Sequence, residues 1–167
     1  MKKGHLRQLS LSAMVAALYV LFTYLAAALG LANQPIQLRF SEALCILPYF
    51  TPAAIPGLFV GCLLANLLTG AVIWDILFGS LATLLGAWGT YLLRRRKWLT
   101  PLPPILANTV IIPLVLAYST LPHSNISPAL LLGYAGFILA GEVLSCGVLG
   151  MLLLHLLEKH KRALFNI

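Results

Sequence analysis

Charged residues are scarce in this chain of 167 residues, and acidic residues are the rarest of them. Asp, Glu, Lys and Arg make up 9% of the sequence, with only four acids, whereas a soluble domain has about 25%. Apolar residues make up 60%, and the mean hydropathy is +0.95. This composition excludes a water-soluble globular fold. It predicts an all-α integral membrane protein, with residues 1–167 forming a single transmembrane domain.

The signature motifs of common enzymes are also missing. The chain has no glycine-rich phosphate loop of the form GxxxxGKS or GxxxxGKT, no HExxH and no GxSxG. Its three cysteines lie in apolar segments without a CxxC spacing, and we interpret them as small apolar residues of helices. We therefore predict that the chain is not an enzyme, and we assign no catalytic residue, no metal and no cofactor.

Basic residues, by contrast, are clustered. Ten of the eleven fall into three groups, which are Lys2, Lys3 and Arg7, then Arg94, Arg95, Arg96 and Lys97, then Lys159, Lys161 and Arg162. Each group adjoins a long apolar run, a position that marks the cytoplasmic side of a membrane protein. The positive charge is therefore typical of juxtamembrane segments, and nucleic acid is not expected as a partner.

Five apolar stretches are long enough to cross a bilayer as helices, namely residues 9–31, 53–69, 74–93, 102–119 and 126–157. A further segment at 41–50, SEALCILPYF, would cover only half a bilayer at about 1.5 Å per residue. If this segment also crosses, starting near residue 36, all three basic clusters lie inside. We therefore predict a six-helix bundle, with the second crossing at 36–50 and both termini cytoplasmic.

Few polar side chains interrupt the apolar segments, and most lie toward the predicted outer side. Glu142 is in the middle of the last apolar run, where a carboxylate costs about 2.5–3.5 kcal/mol and needs a ligand or a partner. Glu42 and Asp75 lie near helix starts, where the helix dipole alone would stabilise an acid. Asn66 and Asn108 could contact a ligand or simply bond a neighbouring helix.

Together these side chains predict a polar pocket that opens outward. The outer loop at 32–41, ANQPIQLRFS, adds polar side chains, and Trp74 could stack on a planar ligand. The alternatives are structural: Arg39 could pair with Glu42, and Trp74 could be an interfacial anchor. The candidate substrate-binding residues are Gln37, Arg39, Glu42, Asn66, Trp74, Asp75, Asn108 and Glu142.

Small residues recur at four-residue spacing in two helices. Ala13 and Ala17 share a face near the inner end of the first helix, and Gly57 and Gly61 share a face of the third. Such faces let two backbones approach closely, either within the bundle or against another subunit.

Four segments of the chain are distinctive enough to compare with known families. They are RFSEAL at 39–44, TPAAIPGLFVGCLLANLL at 51–68, WDILFGSLATLL at 74–85 and GEVLSCGVLG at 141–150. In these segments the chain resembles the QueT family. The members of that family are substrate-binding S components of energy-coupling factor (ECF) transporters, assigned to precursors of the modified base queuosine.

The resemblance implies a six-helix subunit of the bacterial cell membrane that binds a 7-deazaguanine, such as preQ0, preQ1 or queuine, from the outside. Its partners would be a membrane coupling protein and two cytoplasmic ATPases. S components often present an AxxxA face to the coupling protein, and Ala13 and Ala17 match it. A carboxylate such as Glu142 or Glu42 would accept ring N–H groups or pair with an ammonium, with Asn66 and Asn108 on the purine edge.

Other functions stay open at this point. An S component for another vitamin or nucleobase would share the architecture and differ in its ligand. An intramembrane enzyme would need Glu142 or Asp75 beside a histidine, yet no such pair lies at one predicted depth. A small channel subunit is the remaining alternative.

Overall fold

The computed structural model of the protein describes residues 3–30, 39–120 and 127–165. The helices are α1 (Lys3–Ala28), a 3-10 helix (Phe40–Tyr49), α2 (Ala54–Leu68), α3 (Ile73–Leu92), α4 (Leu102–Thr120), α5 (Pro128–Glu142), a π-helical segment (Val143–Gly150) and α6 (Met151–Phe165), with a short 3-10 turn at Lys97–Leu99. α5, the π-helical segment and α6 follow one another without a break and form the C-terminal helix. No strand occurs in the described ranges, which confirms the all-helical prediction.

Four of these helices are long and apolar enough to cross a membrane, namely Gly4–Ala28, Ile73–Leu92, Lys97–Ser119 and Pro128–Lys161. The two shorter apolar helices are Phe40–Tyr49 and Ala54–Leu68. Within the described residues, each of the six predicted segments overlaps at least one helical element. Large apolar side chains such as Leu21, Leu85 and Val110 are exposed on the outside of the bundle, as expected for a surface in contact with lipid.

Helices α1 and α2 run side by side in the same direction. Ser12 Oγ donates to the carbonyl of Ala53 at 2.6 Å near the start of α2, and Tyr24 Oη donates to the carbonyl of Leu68 at 3.1 Å at its end. Between these points α2 presents Gly57 and Gly61 to α1, where an added Cβ would lie 2.5 Å and 2.8 Å from the nearest atoms of α1. The small residues of the third predicted helix thus serve packing inside the bundle.

Because α1 and α2 are parallel, the chain must return along the bundle between them, and the 3-10 helix makes this return. Its start lies beside α1, where Thr23 Oγ1 donates to Ser41 Oγ at 3.0 Å. A 3-10 helix rises about 2.0 Å per residue, so ten residues span about 20 Å, whereas an α-helix would span about 15 Å. The assumption of an α-helical rise for 41–50 was therefore wrong.

The 3-10 helix is also the most enclosed element of the bundle. Every residue from Ser41 to Pro48 is buried, so this helix has no face toward lipid. Contacts from α1, α2, α3 and the π-helical segment surround it. Its polar residues are consequently held in the interior of the bundle, where they require protein or ligand partners.

The remaining helices alternate in direction. Thr83 Oγ1 of α3 reaches Cys62 Sγ of α2 at 3.4 Å, and Thr90 Oγ1 of α3 donates to the carbonyl of Thr100, just before α4, at 2.9 Å. Lys97 then forms an ion pair with Glu158 of α6. Glu158 therefore pairs with the second basic cluster, and the described members of all three clusters lie at the same end of the bundle, here named the basic end.

Candidate functional site

Two buried carboxylates meet in the interior of the bundle. Glu42, on the first turn of the 3-10 helix, is 1% exposed, and Glu142, at the end of α5, is 6% exposed. One oxygen of each, together with Cys146 Sγ, lies within 4.8 Å of the others. We name Glu42 and Glu142 the carboxylate pair.

The amide of Asn108 on α4 joins the two carboxylates. Its Nδ2 donates to Glu142 Oε1 at 2.9 Å and makes a longer contact of 3.5 Å with Glu42 Oε2. An Asn amide has two N–H donors, so it can serve one carboxylate with each. The structure thus brings these three predicted site residues together. That they bind a ligand stays a prediction.

Three further neutral groups complete the network. The Tyr19 hydroxyl donates to Glu42 Oε1, and Cys45 Sγ donates to Glu42 Oε2 at 3.2 Å. Cys146 Sγ lies 3.3 Å from Glu142 Oε2 and 3.2 Å from the carbonyl of Glu42. The spacing of the carboxylates and Cys146 would suit a metal ion, but their oxygens already accept these hydrogen bonds, and we assign no metal to the network.

A cavity of about 550 Å³ lies on the side of this network away from the basic end. Such a volume is within the range of small-molecule sites, about 300–1,000 Å³. Residues of α1, the 3-10 helix, α2 and α3 line it, including Tyr19, Arg39, Ser41, Asn66 and Asp75. Tyr19 belongs to both the cavity and the network, because its side chain lines the cavity and its hydroxyl donates to Glu42. The carboxylate pair therefore lies behind the cavity wall, with the Tyr19 side chain between Glu42 and the cavity.

Asp75 presents an unused acceptor at this cavity. It lies on the first turn of α3, and its Oδ1 is buried with no hydrogen-bond partner among the described residues. Its Oδ2 lies 3.8 Å from Arg39 Nη2, so the ion pair that the structure shows for Arg39 is with Asp75, whereas the structural alternative considered from the sequence was Glu42. Asn66 Nδ2 donates to the backbone carbonyl of Asp75 at 3.2 Å.

A glycine leaves room for this arrangement. An added Cβ at Gly79 would lie 3.1 Å from Asp75 Oδ1 and 3.2 Å from Asn66 Nδ2. Any other residue at this position would press on both polar groups, whereas glycine leaves them free to face the cavity. A buried polar atom without a hydrogen-bond partner is rare in proteins and requires an explanation. At the wall of a cavity, a donor supplied by a bound molecule is one such explanation.

The remaining predicted residues lie elsewhere. Trp74 is 52% exposed and faces away from the cavity, stacked on Phe78 at 6.1 Å beside an apolar groove between α3 and α4. Gln37 falls outside the described residues. Ala13 and Ala17 are exposed on the outer face of α1, while Gly57 and Gly61 are covered by that helix.

Sequence reasoning missed Tyr19 and misread two cysteines. Tyr19 lies in an uninterrupted apolar run with no polar neighbour to mark it. Cys45 and Cys146 were interpreted as filler, but their thiols contact the carboxylate pair. The spacing offered a signal, because Cys45 follows Glu42 by three residues and Cys146 follows Glu142 by four, which places each thiol above its acid on one helix face.

The fold and site define an all-helical membrane protein of several apolar helices, with a polar cavity enclosed between them. The chain belongs to the QueT transporter family, because the family model described as QueT transporter matches residues 9–159. The predicted family is thus confirmed, and the family is one of membrane transporters.

A curated relative is the "Queuosine precursor transporter QueT" of Lactococcus lactis subsp. cremoris (strain MG1363). It is 34% identical to this chain over 84 residues, which cover 50% of this chain and 49% of the relative. The alignment therefore spans about half the length of that relative. No solved structure matches the chain.

Proposed function

We propose that this chain binds a queuosine precursor, a 7-deazaguanine, in the cavity lined by Tyr19, Asn66 and Asp75, and serves as the substrate-binding S component of an ECF importer. Membership of the QueT transporter family and the name of the curated relative support the substrate class. One observation supports the choice of this cavity as the binding site. Asp75 lines the cavity, and its buried Oδ1 accepts no hydrogen bond from the described residues.

The chemistry of a guanine-like edge fits that acceptor. The edge carries a ring N–H beside an exocyclic amino group, and a carboxylate can accept a hydrogen bond from each. Asn66, held against the first turn of α3 by its bond to the carbonyl of Asp75, supplies a neighbouring amide. Arg39 keeps the Asp75 carboxylate charge-balanced, so that a neutral ring edge can bind to it without leaving a net charge.

Titration calorimetry of the detergent-purified protein with preQ0, preQ1 and queuine tests the proposal. We expect saturable binding of at least one of them. Asp75→Asn should weaken that binding by at least about tenfold, since one acceptor becomes a donor that faces the donors of the ligand. The matched control is Glu158→Gln, which neutralises an acid at the basic end and should leave binding unchanged. If none of the three compounds gives a heat of binding, the proposal is wrong.

The membrane topology in this proposal has six crossings with both termini cytoplasmic. It is supported by the parallel course of α1 and α2, which requires a return along the bundle between them. It is also supported by the position of the described members of the three basic clusters at one end. With the basic end inside, the cavity opens toward the outside, the direction from which an importer takes its substrate.

The coupling role concerns the outer face of α1. Ala13 and Ala17 are exposed there beside Met14 and Leu21, so the face is apolar, low in relief near the alanines and available to another membrane protein. In the binding experiment, Ala13→Trp and Ala17→Trp should bind ligand as the unmodified protein does but should abolish uptake by cells that express the complete transporter. If uptake survives both changes, the docking face lies elsewhere.

A further inference from the structure

The basic end of the bundle carries far more positive than negative charge. The three basic clusters contain ten of the eleven basic residues of the chain. All four acidic residues of the sequence lie within the described ranges, and Glu42, Asp75 and Glu142 belong to the network and the cavity. The fourth, Glu158, lies at the basic end, where it pairs with Lys97. Anions from outside the chain therefore have to balance most of this charge.

Two of the clusters form one surface, because the turn between α3 and α4 is joined to α6. Lys97 of the turn pairs with Glu158, and the ring centroids of Trp98 and His155 are 6.0 Å apart. Lys161 also interacts electrostatically with Glu158. Beside these contacts lie five exposed basic side chains from the turn and from α6, here named the basic patch, which are Arg94, Arg95, Arg96, Lys159 and Lys161.

The arginines of the basic patch provide donors that suit a phosphate group. A guanidinium presents its N–H groups in a planar fork that matches phosphate oxygens. The guanidinium carbon of Arg94 lies 4.2 Å from the ring centroid of Tyr91. This stacking uses the face of the guanidinium and leaves the N–H groups at its edges for an anion. With Arg95 and Arg96 next in the chain, three guanidinium groups are available at the turn.

Large apolar side chains are exposed next to the basic patch. Trp98 is 72% exposed, Leu92 is 64% exposed and Leu156 is 54% exposed. They lie where two long apolar helices, Ile73–Leu92 and Pro128–Lys161, come to an end. At this depth Trp side chains and the charged ends of Lys and Arg meet the lipid headgroups. An anionic phospholipid matches both the charge and the apolar side chains, whereas an acidic protein surface matches the charge alone.

We propose that the basic patch is a binding site for an anionic phospholipid. The lipid phosphate contacts the guanidinium groups of the turn, the lysines of α6 add positive charge on the other side, and an acyl chain covers Leu92 and Trp98. The bound lipid thereby connects the turn between α3 and α4 with α6, beside the ion pair of Lys97 and Glu158. The inference goes beyond the proposed function, because it does not depend on what the cavity binds.

Quenching of Trp98 fluorescence by brominated lipids measures which lipid occupies the patch. The chain has three tryptophans, so Trp74→Phe together with Trp88→Phe leaves Trp98 as the emitting side chain. This protein is reconstituted in phosphatidylcholine vesicles with a minor fraction of brominated phosphatidylglycerol, or with the same fraction of brominated phosphatidylcholine. We expect phosphatidylglycerol to associate at least about fivefold more strongly, the attraction typical of one basic residue near a membrane surface.

Two double variants of the protein with Trp98 alone separate the patch from a general effect of charge. Arg95→Gln with Arg96→Gln removes two guanidinium groups from the patch and should abolish most of the preference for phosphatidylglycerol. The matched control is Lys3→Gln with Arg7→Gln, which removes the same charge from α1 and should retain the preference. The two replaced arginines of the patch are exposed, and a thermal melt of each variant confirms that it is folded.

Two results would overturn the inference. The first is equal quenching by the two brominated lipids, which is expected if the patch instead receives an acidic surface of a partner protein. The second is an equal loss of preference in both double variants, since the total charge of the basic end would then attract the lipid without a site at the patch. Neither result would bear on ligand binding in the cavity.

Discussion

At the scale of single residues, Asn108 is the side chain that contacts both members of the carboxylate pair. Its amide is the link between two carboxylates that come from the 3-10 helix and from the end of α5. Replacing it by Leu keeps a similar volume but removes both donors, which leaves buried acceptors unsatisfied at a cost of about 1–3 kcal/mol. We therefore expect Asn108→Leu to lower the midpoint of thermal unfolding in detergent.

The matched control for this change is Val110→Ala, since Val110 lies two residues away on α4 and is 62% exposed on the outer surface. That change should leave the unfolding midpoint close to that of the unmodified protein. An Asn108→Leu variant as stable as the control would mean that the bridging hydrogen bonds contribute nothing to the folded state.

The polar residues of the site were predictable from the sequence, but their grouping was not. Glu42, Asn108 and Glu142 are conspicuous because a polar side chain inside an apolar run is costly. Which of them touch depends on helix packing, which no local pattern encodes. The residues at the cavity, Asn66 and Asp75, were found by the same argument, whereas Tyr19 gave no signal because an aromatic residue in a membrane helix needs no explanation.

At the scale of helices, the close approach of α1 and α2 depends on the absence of side chains at two positions. An added Cβ at Gly57 would lie 2.5 Å from the carbonyl oxygen of Ser12, a backbone atom that cannot rotate away. Gly57→Ala should therefore force the helices apart and destabilise the protein by about 1–3 kcal/mol, the usual cost of overpacking.

The control for Gly57→Ala is Gly133→Ala on α5, where an added Cβ meets nothing within 4 Å. Both changes raise helix propensity equally, so the difference between them isolates the packing between α1 and α2. Unfolding in a graded detergent mixture measures both. Equal stability of the two variants would show that α1 and α2 are not packed as described.

The helices themselves followed from hydropathy, with one exception that has a physical cause. Segments such as 74–93 and 102–119 are apolar for a full membrane thickness and became α3 and α4. The segment at 41–50 is too short to cross as an α-helix, and charge parity alone pointed to a crossing. Its 3-10 geometry could not be foreseen, because long 3-10 helices are uncommon and are held by their surroundings, here complete burial.

At the scale of the whole molecule, the direction of each helix determines which turns share a side of the membrane. The turn between α2 and α3, with the exposed Val72, lies at the cavity end, and the turn between α3 and α4, with Arg95, lies at the basic end. A bundle of six crossings with the N-terminus inside puts the turn between α2 and α3 outside and the turn between α3 and α4 inside. If the same bundle lay in the membrane in the opposite orientation, with the basic end outside, these two assignments would be reversed.

Labelling with a membrane-impermeant maleimide distinguishes the two arrangements. In intact cells we expect Val72→Cys to be labelled and Arg95→Cys to stay unlabelled until the membrane is permeabilised. The three native cysteines are buried, so the unmodified protein should remain unlabelled in its folded state and serves as the control. Labelling of Arg95→Cys in intact cells would place the basic end outside, and the cavity would then open toward the cytoplasm, where it could not receive a substrate for import.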